Sequence, residues 1–199
     1  MPRPRTPEGE LTPAAKRILA TASGLFYEQG INAIGVEAVA EAAGVTKKTL
    51  YDRFGSKDQL IVAYLRDRDQ QYREWLGSYL ERHATTPREK LLRTFDALAE
   101  WMRHNHPRGC AFVNAHAELA VTDHPARTVI AEHKRWVSDY LASLARDADL
   151  PEPERIADEL AILLEGVTVA QSLHVVPQAA ERAKRLATRA LGINATPES

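Results

Sequence analysis

Apolar residues recur at helical spacing along most of this chain, and the stretches are punctuated by proline and glycine. Pro13, Pro87, Pro107, Pro125, Pro151 and Pro177 each stand near the start of such a stretch. Proline lacks an N–H and fixes φ, so it fits a first helical turn and disrupts an interior. No run of alternating β-branched residues bounded by turn signals occurs, and repeats and low-complexity tracts are absent. The expected fold class is all-α, with about nine helices.

Composition narrows the functional classes. Lys+Arg 26 against Asp+Glu 27 leaves a net charge of −1, which excludes a uniformly basic nucleic-acid coat but not a small basic element on a neutral body. Cys110 is the single cysteine, so neither an intrachain disulfide nor a four-cysteine zinc module can form. The aliphatic run Leu160 to Leu164 is far too short to span a bilayer. The N-terminal MPRPRTPEGELTP has arginines without an apolar core behind them, unlike a secretory signal. A cytoplasmic protein without a membrane partner is expected.

The first third reads as short helices. Thr12 is placed to cap the first, with Pro13 following; Ile18, Ala22, Leu25 and Phe26 form its apolar face and Gly30 ends it. Val36, Val39, Ala40 and Ala43 mark a second. Leu50 and Phe54 mark a third, and Ser56 to Gln59 reads as a capping box opening a fourth, which runs to about Arg82. Later helices carry Leu91 to Met102, Cys110 to about Ala120, Ile130 to Leu144, Ile156 to Val167, and Gln178 to Leu191. In the last of these Ala179, Ala183, Leu186 and Ala190 are expected to share a face.

Three short helices with a tight turn at Ala43-Gly44-Val45-Thr46 describe a helix-turn-helix. Gly44 supplies the positive φ that such a turn needs. Thr46 caps the third helix and leaves Lys47, Lys48 and Thr49 in its first turn, where a recognition helix meets bases and phosphates. Tyr51 faces outward with a hydroxyl for a phosphate, and Lys57 opens the next helix, where cation and free N–H groups favour an anion. Charge adds little: residues 1–60 hold eight Lys/Arg against seven Asp/Glu. On spacing and charge alone, a solvated αα-corner remains open beside DNA binding.

Phe26-Tyr27-Glu28-Gln29-Gly30 and the stretch from Val39 to Leu60, VAEAAGVTKKTLYDRFGSKDQL, resemble the tetracycline-repressor (TetR) family of bacterial transcriptional regulators. The motif match covers residues 16–62; beyond it only the helical architecture is similar. Two positions depart from the pattern. Gly35 replaces the usual Ser or Thr cap of the second helix, and Asp52 puts a carboxylate on the recognition helix, able to accept from a cytosine amine. The resemblance implies a homodimer on a near-palindromic double-stranded DNA operator, with a small-molecule effector held in a C-terminal body. It gives a helix-turn-helix DNA-binding domain at 1–55 and a helical ligand-binding and dimerisation domain at 56–199.

Dimerisation is expected through the last two helices. Ala179, Ala183 and Ala190 permit close approach, and Ile156, Leu160, Leu163 and Val167 supply apolar area, although the same faces suit the core of one protomer. Candidate effector-lining residues are Trp101, Cys110, Phe112, Asn114, His116, His133, Trp136, Tyr140 and Gln171. Aromatic residues at this spacing also fill ordinary cores. His104, His106, Cys110, His116 and Glu118 cluster in sequence, but their spacing matches no firm ligand set, and neither metal nor cofactor is expected. A first-turn position would give Cys110 thiolate character, hence an alternative reading as an electrophile or redox sensor, while free cysteines also serve as small buried apolar fillers, the other reading of this residue. A helical enzyme or metal-binding protein that never meets DNA is the rival from another class; no third group orients Cys110 and His116 for hydrolysis, so no catalysis is expected.

Overall fold

Nine helices, and no strands, form among the described residues, which are 11–105, 108–119 and 123–192 of a computed structural model. They are α1 (Pro13–Gln29), α2 (Val36–Ala42), α3 (Lys47–Phe54), α4 (Lys57–His83), α5 (Pro87–Asn105), α6 (Ala111–Glu118), α7 (Ala126–Asp147), α8 (Pro153–Ser172) and α9 (Ala179–Ala190). The all-α expectation holds. The helices pack as two units. One contains the chain to Arg68 together with Phe112–Ile130; the other contains Asp69–Ala111 and the chain from Ala131 onward. Their boundary falls inside α4.

The first unit is built by short-range signals. Thr12 caps α1, its hydroxyl accepting from Ala15 N–H at 3.3 Å. Gly44 sits at φ +64°, the left-handed conformation the α2–α3 turn requires. Thr46 caps α3, its hydroxyl accepting from Thr49 N–H at 3.1 Å. Ser56 accepts from Gln59 N–H at 3.0 Å, but its own N–H donates to Phe54 O at 2.9 Å, so the capping box is one-sided. Ile18, Ala22, Phe26, Val39, Ala40, Leu50, Leu60 and Leu65 are buried here, while Leu25 and Phe54 are half-buried.

Phe112–Ile130 supplies a second seam to this unit. The end of α6 is held on the α1–α2 turn by a two-point contact. Asn32 N–H donates to the Glu118 carboxylate at 2.8 Å, and Asn32 Nδ2 donates to the Glu118 carbonyl at 2.8 Å. Gly30, at φ +93°, makes room for it: a Cβ there would lie 2.9 Å from both carboxylate oxygens.

The second unit has one large apolar cluster. Leu91, Phe95, Leu98 and Met102 of α5 meet Leu141 and Leu144 of α7, Ile156, Leu160, Leu164 and Val167 of α8, and Ala180, Ala183 and Ala187 of α9. Two expectations change here. On α9 the buried face is Ala179, Ala180, Ala183 and Ala187, whereas Leu186 and Ala190 are exposed. The residues expected to form a dimer seam, Ile156, Leu160 and Val167 with Ala179 and Ala183, are buried within one protomer, and Leu163 packs half-buried against the same cluster. Apolar side chains left exposed include Ile162, Val169 and Leu173 along α8 and its end, Val175 and Val176 just beyond it, and Leu186 on α9. α6 begins at Ala111, one residue after Cys110.

Candidate DNA-binding interface and effector-binding body

The outward face of α3 carries the residues expected to meet DNA. Thr46, Lys47, Lys48 and Tyr51 are exposed; Thr49 is half-buried, its hydroxyl 2.9 Å from that of Thr46. Leu50 anchors the opposite side. Lys57 begins α4 and is half-buried. Eight residues make a marginal helix on their own, so the Thr46 cap and the Leu50 contact hold this face in place.

Both lysines are paired. Lys47 forms an ion pair with Glu37 of α2, which holds the Lys47 ammonium above its ordinary range and the Glu37 carboxyl below its own. Its Nζ also lies 5.8 Å from the Tyr51 ring centroid. Lys48 Nζ lies 2.8 Å from Asp52 Oδ2, one helical turn on. The lysines and Asp52 stood out in the sequence; the link to Glu37 crosses the turn and did not.

The candidate effector residues divide between the units. Phe112 is buried, Asn114 half-buried and His116 exposed in the first unit; Trp101, Cys110, His133, Trp136, Tyr140 and Gln171 belong to the second. There Tyr72 is the centre of an aromatic cluster, with edge-on contacts to Trp101 at 5.5 Å, His133 at 5.7 Å and Trp136 at 6.5 Å. Trp75 lies 5.1 Å from Trp101, and Tyr140 stacks on Trp136 at 5.3 Å. Burial pushes the Tyr72 hydroxyl well above the usual phenol range.

Charged groups are built into this aromatic wall. Burial lowers His133 to about 4, outweighing its contact with Asp69, so the ring is neutral near pH 7. Its Nδ1–H donates to Asp69 Oδ1 at 2.7 Å, and Arg73, 2.8 Å from the other Asp69 oxygen, lies over the Trp136 ring at 4.4 Å. Cys110 is half-buried beside Lys134, whose Nζ is 3.6 Å from Sγ and also pairs with Glu165. Burial disfavours the Lys134 charge, but Cys110 and Glu165 outweigh it and hold the ammonium above its ordinary range. Gln171 donates to Ala99 O at 3.3 Å and borders a separate cavity of about 420 Å³ lined also by Arg103, His174, Gln178 and Glu181. Tyr72, Lys134, Glu165 and Asp69 were not among the expected effector residues; only the packing of α4, α7 and α8 brings them to it.

Among the described residues no group of three His, Cys, Asp or Glu side chains is arranged to hold a metal ion. His106 lies outside the described residues. No described helix is long and apolar enough to cross a membrane.

An N-terminal helix-turn-helix with a capped, exposed third helix, joined to a larger helical body, defines a helix-turn-helix DNA-binding protein. Comparison with known proteins places it more narrowly. Residues 18–64 match the family described as bacterial regulatory proteins, tetR family, and residues 87–187 match the tetracyclin repressor-like C-terminal domain. The chain belongs to the TetR family and is a DNA-binding transcriptional regulator.

Its relatives include the HTH-type transcriptional repressor KstR2 of Mycolicibacterium smegmatis, 35% identical over 105 residues, or 50% of this chain and 49% of the repressor. The HTH-type transcriptional regulator YjdC of Escherichia coli is 26% identical over 149 residues, 75% of this chain and 78% of YjdC. The chain thus aligns with about half the length of KstR2 and about three quarters of YjdC. Among solved structures, SCO4454, a TetR-family transcriptional regulator from Streptomyces coelicolor, aligns with a TM-score of 0.81 at 28% identity, covering 90% of this chain and 94% of that one.

Proposed function

We propose that the protein is a repressor that binds a near-palindromic operator as a homodimer and is released by a small-molecule effector. The helix-turn-helix domain at 1–55 reads the DNA, and the remainder, 56–199, carries the effector and dimer contacts. The observation that carries the DNA reading is the first turn of α3: Thr46, Lys47 and Lys48, with Tyr51 one turn on, stand exposed on a helix fixed by the Thr46 cap and Leu50. KstR2 is named a repressor, which supports the direction of control. A single eight-residue helix reads too few base pairs to be selective, and a two-fold pair sets two such helices about 34 Å apart in successive major grooves. Ile162, Val169, Leu173 and Leu186 are the apolar residues offered for pairing of α8 and α9.

The effector reading rests on Tyr72, Trp101, His133, Trp136 and Tyr140, an aromatic surface with few, well-placed polar groups, as ligand sites have. Gln171 of the same unit, and Phe112, Asn114 and His116 of the first unit, remain separate candidates. We assign no enzymatic role and no cofactor, and a cytoplasmic setting, where an operator is found. Selection of bound sequences from a random duplex pool tests the DNA reading. A palindrome is expected; no enrichment would overturn it.

One observation favours a second route to release. Lys134 lies 3.6 Å from the half-buried Cys110 Sγ, which puts a cation beside the thiol. Alkylation by a neutral maleimide between pH 8 and 6 separates the routes. A rate that stays nearly flat, with loss of operator binding, supports a cysteine sensor. A rate falling tenfold per pH unit leaves the reversible effector alone.

A further inference from the structure

The acidic partners of the recognition lysines are placed to decide which DNA is bound, an inference that rests on the operator-binding reading above. From Val36 to Phe54 the module carries Lys47, Lys48 and Arg53 against Glu37, Glu41 and Asp52, so this segment has no net charge. Both first-turn lysines are already engaged: Lys47 with Glu37, and Lys48 with Asp52 at 2.8 Å. A lysine neutralised by a neighbouring carboxylate releases no counterion when it nears a phosphate, which weakens attraction to DNA of any sequence. The carboxylate itself comes within a Debye length of the phosphates and is repelled by them.

That repulsion is offset where the carboxylate finds a donor. In the major groove the exposed donors are the cytosine N4 and adenine N6 amino groups, and cytosine N4 is the usual partner of Asp. Asp52 lies on α3 one turn beyond Lys48 and is exposed. Glu37 lies on α2, outside the recognition helix, and fixes Lys47 across the turn. We propose that Asp52 is a specificity-determining residue that accepts from a cytosine amino group of the operator and thereby frees Lys48 for phosphate, while Glu37 is a positioning residue that restrains Lys47 from phosphate contact on other sequences. Discrimination then comes from a conditional cation: on DNA without the cytosine, Lys48 stays paired and Asp52 stays repelled.

The test carries Asp52→Ala, Asp52→Glu and Glu37→Gln through the same random-duplex selection as the parent protein. Affinity is then measured for the parent's selected operator and for a random-sequence duplex, across a salt series. Asp52→Ala is expected to lose the preference for one cytosine in each half-site. It should bind random duplex several-fold more tightly, with a log–log salt slope steeper by about 0.9 for each lysine freed. The ratio of operator to random affinity should fall about tenfold, the scale of one base contact. Glu37→Gln should steepen the slope and keep the cytosine. Asp52→Glu, which retains the charge, should keep both. Circular dichroism establishes that each variant is folded. An Asp52→Ala protein that selects the same site with the parent's ratio and slope would overturn the proposal. A parent that enriches no sequence would overturn the operator-binding reading itself, and this inference with it.

Discussion

The α3 surface and the aromatic cluster of the body hold their charges in different settings. On α2 and α3 the ionic groups are exposed, and Lys47, Lys48, Glu37 and Asp52 pair on the surface. In the body, beside exposed pairs such as Arg146–Glu154, one set of ionic groups adjoins the aromatic cluster, where His133 is buried against Asp69 and the half-buried Lys134 sits between Cys110 and Glu165. Exposed pairs are weak, so a base-edge donor that takes up the carboxylate can release its cation. Buried groups have given up their hydration, so their protonation depends on what surrounds them. A surface that must let go of one partner for another suits DNA reading, and the aromatic cluster is the surface proposed above to meet the effector.

The largest effect that tests this contrast is a carboxylate placed on the two sides of α8. Leu164→Glu puts a charge into the apolar cluster, a penalty of several kcal/mol, about 3–5. The expected result is an unfolded or molten body by circular dichroism and thermal melting. Ile162→Glu, on the exposed side, should leave a folded protomer and shift sedimentation to the monomer. A stable Leu164→Glu protein would contradict the assignment of that face to the protomer core.

The buried imidazole gives the next effect. His133 titrates near 4 in the folded chain and near 6.5 in the unfolded one, so the unfolded state binds more protons between those values. Stability should therefore fall as pH drops from about 6.5 toward 4, by roughly 2–3 kcal/mol in all. Urea midpoints of the parent and of His133→Phe check this, the variant showing a shallower decline. Equal declines would place the acid sensitivity elsewhere.

Gly30→Ala should cost about 1–3 kcal/mol, because φ is +93° and the new Cβ would meet the Glu118 carboxylate at 2.9 Å. Operator affinity should fall with it, since Glu118 loses its hold on Asn32 in the α1–α2 turn. A melting temperature and affinity equal to the parent's would remove the Glu118–Asn32 contact from the account. The smallest effect expected is Thr46→Ala, about 1 kcal/mol for a lost cap, read as a lower melting temperature and looser operator binding.

How much of this was legible in the sequence follows the range of each interaction. Thr12, Gly30, Gly44 and Thr46 act within a few residues, so the helix-turn-helix and its exposed face could be read from spacing alone. The aromatic cluster could not, because Tyr72, Trp101, His133 and Trp136 come from three helices that meet only in the folded body. On α9 the alanines occupy nearly every position near the core face. The large apolar Leu186 drew the predicted stripe toward itself, while packing chose Ala187 one residue on. The Glu37–Lys47 pair was hidden for a related reason: its members lie on different helices across the Gly44 turn.

The central claim, that the outward face of α3 reads DNA, is tested most directly by the affinities of Tyr51→Phe and Lys48→Ala for the selected operator and for random duplex. Tyr51→Phe should weaken binding to both alike, because its hydroxyl is assigned to a phosphate. Lys48→Ala should weaken operator binding and flatten its log–log salt slope by about 0.9, because Asp52 frees its ammonium for a phosphate there. If both variants bind the operator as tightly as the parent, α3 is not the recognition helix.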